Sequence, residues 1–147
     1  MDSGEIDVVK NSGGWTDMKY GYFDDGRREY AITTPETPLP WINYLGNEEF
    51  FGILSNTGGG YCFYRDAKLM RLLRFRYNSG SDEGGRFFYI KEDGKSPWSP
   101  AFLPSKAPLD AYICRHGLGY TVLEGEKDGL KAEIAFFVPM GESCEVQ

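Results

Sequence analysis

The sequence predicts an all-β fold, an antiparallel β-sandwich of about nine strands. Three observations support this prediction. Aromatic side chains, which pack well on a pleated sheet, make up 16% of the 147 residues. Nineteen glycines and eight prolines provide many turns, and no segment carries the 3.6-residue apolar period of a long helix. The hydrophobic fraction of 41% is sufficient for one domain with a buried core.

The first elements along the chain are a polar leader and a hairpin. Residues 1–17 show no periodicity and are predicted to be a disordered leader, so the folded domain comprises residues 18–147. Strand-like runs at residues 19–23 and 28–33 flank the sequence Asp24-Asp25-Gly26-Arg27. Because Asp-Gly readily adopts the positive φ angles of a tight turn, the two runs are predicted to pair as a hairpin.

A second hairpin is predicted after an extended connection. Three prolines between residues 35 and 40 fix φ and lack an N–H donor, which favours an extended segment. Residues 41–45 then form a short strand or an ordered loop. Residues 50–55 and 61–65 are strand-like and flank the glycine-rich sequence 56–60, which predicts a turn between two strands.

The middle of the chain is predicted to contain short strands and a long irregular segment. Residues 74–77 alternate charged and aromatic side chains, which suits a half-buried strand. Residues 86–91 are predicted to form a further strand. Four prolines between residues 97 and 108 make the region 96–110 irregular, because proline cannot donate to a sheet ladder.

The C-terminal third is predicted to be a run of three strands. Residues 112–114 and 120–124 flank a turn at residues 116–119, and Lys127-Asp128-Gly129 marks the next turn. Residues 130–138 alternate apolar and polar side chains with a period of two. One face of this last strand therefore carries Leu130, Ala132, Ile134, Phe136 and Val138, and the other carries Lys131 and Glu133.

Charge and cysteine content exclude several classes of function. The formal net charge of −6 argues against a nucleic-acid partner or an anionic membrane surface. The sequence has no run of 18 apolar residues that could span a bilayer, and its acidic N-terminus has no signal-peptide core. Cys62, Cys114 and Cys144 form no metal-binding or redox motif, which predicts a reducing, cytoplasmic compartment.

Residue types suited to catalysis are present but form no recognisable active site. Neighbouring carboxylates such as Glu48 and Glu49 point to opposite faces of a strand, so they do not converge on one substrate atom. The glycines at 58–60 are not followed by the lysine and hydroxyl residue of a P-loop, and we interpret them as a hairpin turn. His116 is the only histidine and has no triad or metal-site partners at a suitable spacing. We therefore predict no catalytic residue, no metal and no cofactor.

Aromatic and charged side chains provide the best candidate for a functional surface. Sugars stack on aromatic rings, and Arg and Asp supply planar donors and acceptors for sugar hydroxyls. The alternative is that most of these aromatic residues belong to the core, because a sandwich buries one face of every strand. The candidate carbohydrate-binding or interface residues are Trp41, Tyr61, Tyr64, Arg65, Asp66, Trp98 and His116.

Several pieces of the sequence occur together in the order of one known family. They include Trp41-Ile-Asn-Tyr-Leu-Gly46, Phe63-Tyr-Arg-Asp-Ala67, Trp98-Ser-Pro100, Cys114-Arg-His-Gly-Leu-Gly-Tyr-Thr121 and Phe136-Phe-Val-Pro139. With these pieces the chain resembles the N-terminal region of cellobiose phosphorylase and its relatives, the disaccharide phosphorylases of glycoside hydrolase family 94.

The resemblance implies a supersandwich-like fold and a place in a larger enzyme. Family members are cytoplasmic homodimers with an N-terminal sandwich, a helical linker and an (α/α)6 barrel. They cleave a β-linked glucose disaccharide such as cellobiose with inorganic phosphate as co-substrate, giving glucose 1-phosphate with inversion at the anomeric carbon. The general acid and the phosphate-binding residues lie on the barrel. No position of this chain matches those motifs, so the resemblance implies no catalytic residue here.

Three functional hypotheses follow from the sequence. The first is the N-terminal sandwich of a hexosyltransferase-type phosphorylase, which packs against the barrel and a dimer partner and is not catalytic alone. The second is a free-standing carbohydrate-binding module that uses Tyr61, Tyr64, Arg65 and Trp98. The third is a non-functional truncated fragment. The resemblance implies that the family's sandwich continues beyond this sequence, so an incomplete domain with exposed strand edges is expected.

Overall fold

The computed structural model describes residues 19–73 and 85–147, and all regular secondary structure in these ranges is β. The leader predicted for residues 1–17 and the strand predicted for residues 74–77 lie outside the described residues. Within the described ranges no helix has the length and hydrophobicity needed to cross a bilayer. The strands are β1 (Gly21–Asp24), β2 (Glu29–Ile32), β3 (Ile42–Gly46), β4 (Phe50–Ser55), β5 (Gly60–Tyr64), β6 (Ala111–His116), β7 (Tyr120–Lys127) and β8 (Leu130–Phe137).

The strands form two antiparallel sheets, which confirms the predicted all-β sandwich class. The larger sheet has five strands in the order β1-β2-β6-β7-β8, and the smaller sheet has three in the order β3-β4-β5. Sequence neighbours pair as hairpins, whereas β2 pairs with β6 across a long connection. The smaller sheet is therefore inserted in the chain between two adjacent strands of the larger one.

The hydrophobic core lies between the inner faces of the two sheets. Because successive side chains of a strand point to opposite faces, each strand contributes alternate residues to this core. The larger sheet contributes Ile32, Cys114, Leu123 and Phe136, and the smaller sheet contributes Leu45, Phe50, Leu54 and Cys62. All of these side chains are buried.

The first hairpin is present, but its turn differs from the prediction in one respect. β1 and β2 pair with Asp24 opposite Glu29. The positive φ angle of the turn, 57°, belongs to Arg28 and not to the dipeptide Asp25-Gly26. The Asp24 carboxylate accepts a hydrogen bond from the Arg27 N–H at 3.0 Å. A side-chain acceptor therefore closes this turn, as aspartate commonly does.

The glycine-rich turn between β4 and β5 is confirmed. Gly60 has a φ of 114°, and a Cβ atom there would lie 2.0 Å from the Ile53 carbonyl oxygen. The position therefore excludes any side chain. The Ser55 hydroxyl completes the turn by accepting a hydrogen bond from the Gly59 N–H at 2.9 Å.

The prediction of a strand at residues 86–91 is wrong. Gly85 and Ile90 each form only an isolated bridge, with Gly59 and Trp98 respectively. Exposed and less exposed side chains do alternate along this segment, as the prediction assumed. Among the described residues, however, the segment has no neighbouring strand with which to form a continuous ladder.

The last two strands form a tight hairpin with the predicted alternation of side chains. Asp128 and Gly129 occupy its turn with φ angles of 53° and 79°. Phe136 is buried, whereas its neighbour Phe137 is 40% exposed. Leu130 is 41% exposed, because it lies next to the turn and beyond the covered part of the sheet.

The C-terminal residues 139–147 are tied back onto the smaller sheet by a buried ion pair. The Glu145 carboxylate accepts two hydrogen bonds from the Arg86 guanidinium, and the two side chains are only 4% and 2% exposed. Arg86 also donates to the Ile53 carbonyl at 3.2 Å. Gly52 leaves room for the pair, since a Cβ atom there would lie 3.0 Å from the Glu145 carboxylate.

Candidate functional site

The structure places the seven candidate residues in four separate environments. Two line the interior between the sheets, one is buried beneath an irregular segment, three lie at the end of β5, and one is on the outer face of the smaller sheet. In that order they are Trp41 and His116, then Trp98, then Tyr64, Arg65 and Asp66, and finally Tyr61. They do not form one common site.

A polar network joins the two sheets in the interior. The Asn43 amide donates to the Thr121 hydroxyl at 3.1 Å and to two backbone carbonyls near the β6–β7 turn, both at 2.9 Å. The Thr121 hydroxyl lies 2.9 Å from Nδ1 of His116. Nε2 of His116 lies 3.1 Å from the Trp41 carbonyl oxygen. The ring therefore links β6 and β7 of the larger sheet to the residue that precedes β3 of the smaller sheet.

His116 is a neutral structural residue. Burial lowers the pKa of its ring below the ordinary value of about 6.5, and the contact with the Trp41 carbonyl opposes this shift only in part. As a neutral ring it donates from Nε2 to Trp41 and accepts at Nδ1 from Thr121. Both nitrogens of His116 are thereby used for hydrogen bonds within the domain.

Asn56 extends this network to the proline-rich connection. The side-chain oxygen of Asn56 accepts a hydrogen bond from the Trp41 N–H at 3.0 Å, and the backbone N–H of Asn56 donates to the Trp41 carbonyl at 2.8 Å. The Tyr112 hydroxyl donates to the Asn56 carbonyl. Asn56 is fully buried. Buried polar groups satisfied in this way fix the relative position of the elements they join.

Trp98 does not fit the candidate surface either. Its side chain is 1% exposed, and its backbone pairs with Ile90 at 2.8 and 3.0 Å. A ring without accessible area cannot stack on a ligand. The alternative that this aromatic residue packs inside the domain is the one that the structure supports.

Tyr64 and Arg65 form an exposed polar cluster with Glu49. One oxygen of the Glu49 carboxylate accepts from Nε of Arg65 at 3.0 Å, and the other accepts from the Tyr64 hydroxyl at 3.0 Å. The hydrogen bond from Arg65 is the main cause of a lowered pKa of Glu49, and the same cluster raises the pKa of Tyr64. Asp66 stays outside the cluster and accepts two backbone N–H groups of the following turn.

The outer face of the smaller sheet is apolar and aromatic. Cross-strand register places Tyr44 opposite Ile53 and Phe51 opposite Phe63, and all four point away from the core. Tyr44 is 71% exposed, and Phe51 is 36% exposed. We call this surface the outer aromatic face, and its members are Ile42, Tyr44, Phe51, Ile53, Tyr61 and Phe63.

Three rings of the outer aromatic face stack on one another. Phe51 and Phe63 stack with centroids 5.3 Å apart and ring planes 23° apart, and Tyr61 stacks on Phe63 at 6.1 Å and 30°. The Arg71 guanidinium lies 5.0 Å from the Tyr61 ring centroid. Sugar stacking uses a free ring face, and the faces of these three rings are shared among neighbouring side chains. The geometry therefore suits packing against apolar protein atoms better than stacking on a sugar.

The described residues offer little for catalysis. No group of three or more His, Cys, Asp or Glu side chains suited to holding a metal ion occurs in these ranges. Burial strongly raises the pKa of Cys114, so this thiol is not a nucleophile. An open cleft of about 150 Å³ lies beside the connection at residues 35–40. Glu36 is the single ionisable residue of its lining, and no candidate residue belongs to it.

Sequence reasoning missed three groups of residues that the structure makes important. Asn43 and Asn56 form the interior network, Arg86 binds Glu145, and Phe63 stands at the centre of the outer aromatic face. Only the last had a usable signal, because alternation along β5 assigns Phe63 and its neighbour to opposite faces. The partners of the buried polar residues are distant in sequence, and no local pattern indicates them.

Comparison with known proteins identifies a family for most of this chain. A family model described as "Glycosyl hydrolase 94, supersandwich domain" matches residues 28–147. N,N'-diacetylchitobiose phosphorylase of Vibrio proteolyticus is 42% identical over 132 residues, which are 88% of this chain and 16% of that protein. The enzyme of the same description from Vibrio furnissii gives the same identity and coverage.

A third relative acts on a different sugar. The 3-O-beta-D-glucopyranosyl-beta-D-glucuronide phosphorylase of Paenibacillus borealis is 37% identical over 128 residues, which are 86% of this chain and 16% of that protein. The chain thus spans 16% of the length of each of these three relatives.

Proposed function

Because this chain belongs to the supersandwich domain family of glycoside hydrolase 94, we propose that it serves as the N-terminal sandwich of an inverting disaccharide phosphorylase. In this proposal the domain has a structural role and holds the catalytic barrel in place. The reaction of the whole enzyme is cleavage of a disaccharide by inorganic phosphate, which yields a sugar 1-phosphate and a free sugar.

The observation that carries this proposal is the outer aromatic face. Exposed aromatic side chains gathered on one sheet face are uncommon on a soluble monomer, and such patches usually contact another protein surface. The rings present edges and shared faces, which fits packing against apolar side chains of the barrel. Arg71, at the margin of the face, provides a cation for the polar rim of such an interface.

The proposal assigns no catalytic step to this chain. An inverting reaction needs a general acid at the glycosidic oxygen and a nucleophile, here phosphate, on the opposite face of the sugar. The exposed carboxylate Glu49 is held ionised by Arg65 and Tyr64, so it is poorly suited to donate a proton. We therefore propose that both catalytic functions come from the barrel.

The proposed substrate is a β-linked disaccharide. Two relatives are named for N,N'-diacetylchitobiose and one for a glucosyl-glucuronide, whereas cellobiose is the substrate implied by the sequence resemblance. Since substrate choice is expected to depend on barrel residues, all three sugars belong in the test. We also propose a cytoplasmic location, because the three cysteines are free thiols, as in a reducing compartment.

Complementation tests the proposal directly. The chain is co-expressed with the Vibrio proteolyticus relative from which the matching segment has been removed, and phosphate-dependent release of sugar 1-phosphate is measured. Activity is expected from the pair and from neither part alone. The intact relative serves as the positive control.

Two results would contradict the proposed role. Release of sugar 1-phosphate by this chain alone would show that it carries its own catalytic residues. Saturable binding of a disaccharide by the chain, together with no restored activity, would instead favour a carbohydrate-binding module. In that case the exposed cluster of Tyr64, Arg65 and Glu49 would be the first place to look for the binding site.

A further inference from the structure

A cleft of about 150 Å³ lies between the proline-rich connection at residues 35–40 and the turn that contains Phe102 and Leu103. Most of its lining is apolar, and three of the lining residues are prolines. Glu36 is the single ionisable residue among them. The cleft therefore combines apolar walls with one carboxylate, and its construction indicates what it can bind.

The connection that forms one wall of the cleft is held in a fixed conformation. Each proline fixes its own φ angle and restricts the residue before it. The side-chain amide of the buried Asn56 donates to the Thr37 hydroxyl at 3.3 Å, and that hydroxyl donates to the Leu39 carbonyl at 2.7 Å. Because this wall is already ordered, filling the cleft requires little further loss of conformational freedom.

Phe102, on the other wall, has a strained backbone. Its φ angle is 69°, which is unusual for a bulky residue. Its N–H donates to the Ser99 carbonyl at 2.9 Å, and its carbonyl accepts from the Lys106 N–H at 2.9 Å and from the Ser105 hydroxyl at 3.0 Å. Strained residues that their surroundings hold in place cluster at binding sites, so this wall is a candidate for contact with a ligand or a partner.

The polar side chains of the cleft favour a cation over a sugar. The amide of Asn56 and the hydroxyl of Thr37 are hydrogen-bonded to each other, whereas the carboxylate of Glu36 has no partner among the described residues. A sugar needs several free polar groups, but a cation on an apolar stem needs apolar walls and one carboxylate. Lysine and arginine side chains have this form, and the net charge of −6 also attracts cations.

The size of the cleft favours a side chain of a protein over a free molecule. Clefts that enclose a small-molecule ligand usually measure about 300–1,000 Å³. An exposed ion pair by itself changes an affinity by less than about tenfold. A free amine would therefore bind weakly here, whereas a basic side chain that belongs to a larger protein surface is held in place by the other contacts of that surface.

We propose that the cleft receives a lysine or arginine side chain of the catalytic barrel, an inference that rests on the proposed function. Pro40 of the cleft is two residues from Ile42 of the outer aromatic face, so their Cα atoms are at most about 7 Å apart. One partner surface can therefore cover both. The outer aromatic face then supplies apolar contact area, and the ion pair with Glu36 fixes the orientation of the two parts.

Titration in the complementation assay tests this contact. The truncated Vibrio proteolyticus relative is held at constant concentration, and the concentration of this chain that restores half of the maximal activity is measured. Glu36→Gln should raise this half-restoring concentration at least about tenfold, because the basic side chain loses its counter-charge in the contact. Glu36→Lys should raise it further. Glu133→Gln is the matched control, at an exposed carboxylate on the larger sheet, and should leave it unchanged.

Salt dependence separates the ion pair from the shape of the cleft. Raising NaCl from about 0.05 to about 0.5 M should increase the half-restoring concentration more for the unaltered chain than for Glu36→Gln, because salt screens the pair. Phe102→Gly removes the aromatic wall, and glycine readily adopts a φ of 69°. This variant should also require more chain but keep the salt dependence of the unaltered chain. Circular dichroism checks that each variant is folded.

Different results would overturn different claims. If the unaltered chain restores no activity, the proposed function fails, and this inference fails with it. If the unaltered chain, Glu36→Gln and Glu36→Lys restore activity at the same concentration, only the cation-binding cleft is refuted. An equal effect of Glu133→Gln would show a general effect of charge and no contact at Glu36. Binding of n-butylammonium to the chain with a Kd below about 1 mM, followed by NMR, would show a small-molecule site instead.

Discussion

His116 is held between the two sheets by Thr121 at Nδ1 and by the Trp41 carbonyl at Nε2. The neutral ring satisfies both contacts, whereas a protonated ring would have two donors and would face the desolvation cost of burial. Protonation therefore opposes the folded state, which makes this single residue a determinant of how stability depends on pH.

We predict that the free energy of unfolding decreases as the pH falls below about 6.5. The pKa of His116 is lowered in the folded state, so the unfolded chain binds the proton first. The stabilising contribution is complete above the unfolded pKa and is lost as the pH falls toward the folded pKa. Urea unfolding of the unaltered chain and of His116→Gln, followed by tryptophan fluorescence between about pH 5 and 8, measures this dependence.

The variant should be less stable at pH 7. Its free energy of unfolding should also change less with pH across this window, because glutamine does not titrate. The pKa of Glu49 is also lowered, but its contribution to stability is lost only at more acidic pH. The effects of Glu49 and His116 on the free energy of unfolding therefore fall in different pH ranges. Equal slopes for the two proteins between about pH 5 and 8 would contradict the assignment to His116.

At the scale of elements, the C-terminal segment is fixed by one buried ion pair. Arg86 and Glu145 come from two irregular segments, and their side chains are 2% and 4% exposed beneath Gly52 of β4. A buried pair gains little over well-packed apolar residues, but removing one partner leaves an uncompensated charge in the interior. The ion pair therefore favours one arrangement of the C-terminal segment more than it raises the total stability of the domain.

We predict that Glu145→Leu and Arg86→Met each lower the free energy of unfolding by about 3–5 kcal/mol. The double variant Arg86→Met/Glu145→Leu should cost less than either single change, because no unpaired charge remains. A double-mutant cycle from urea unfolding measures the difference. Lys95→Met, at the partly exposed Lys95–Glu92 pair, is the control and should cost less than about 1 kcal/mol. Strictly additive single effects would contradict the coupling.

At the scale of the whole molecule, the two outward-facing sheet surfaces differ in character. The larger sheet carries ion pairs on its outer face, including Arg115 with Glu124 and Lys131 with the same carboxylate. The smaller sheet carries the outer aromatic face. Since charged side chains are strongly hydrated and aromatic ones are not, the outer surface of the smaller sheet gains more from being covered than that of the larger sheet.

We predict that Tyr44→Lys leaves the stability of the isolated chain within about 0.5 kcal/mol of the original, because the side chain is 71% exposed. The same change should strongly reduce restored activity in the complementation assay, since it places a charge in the proposed contact with the barrel. Leu118→Lys is the matched control, at a residue 80% exposed in the β6–β7 turn. Equal loss of activity in both variants would argue against the outer aromatic face as the contact.

Local pattern was sufficient for most strands and insufficient for the sites. The hairpins at Asp24, at Gly58–Gly60 and at Asp128-Gly129 follow from turn chemistry between neighbouring residues, and the structure confirms all three. The segment 86–91 has the alternation of a strand but no adjacent strand among the described residues, and sequence cannot supply that neighbour. The burial of Trp98 and of His116 is not visible in residue type alone.

The sequence by itself determined the all-β class, the main hairpins and the resemblance to glycoside hydrolase family 94, because these depend on side-chain period, turn residues and the order of short motifs. Only the tertiary structure decided that His116 joins the sheets, that Arg86 meets Glu145 from 59 positions away, and that three aromatic rings of the smaller sheet stack on one another. The physical reason is that such contacts form between residues distant in the chain, and packing of the two sheets, not local propensity, selects them.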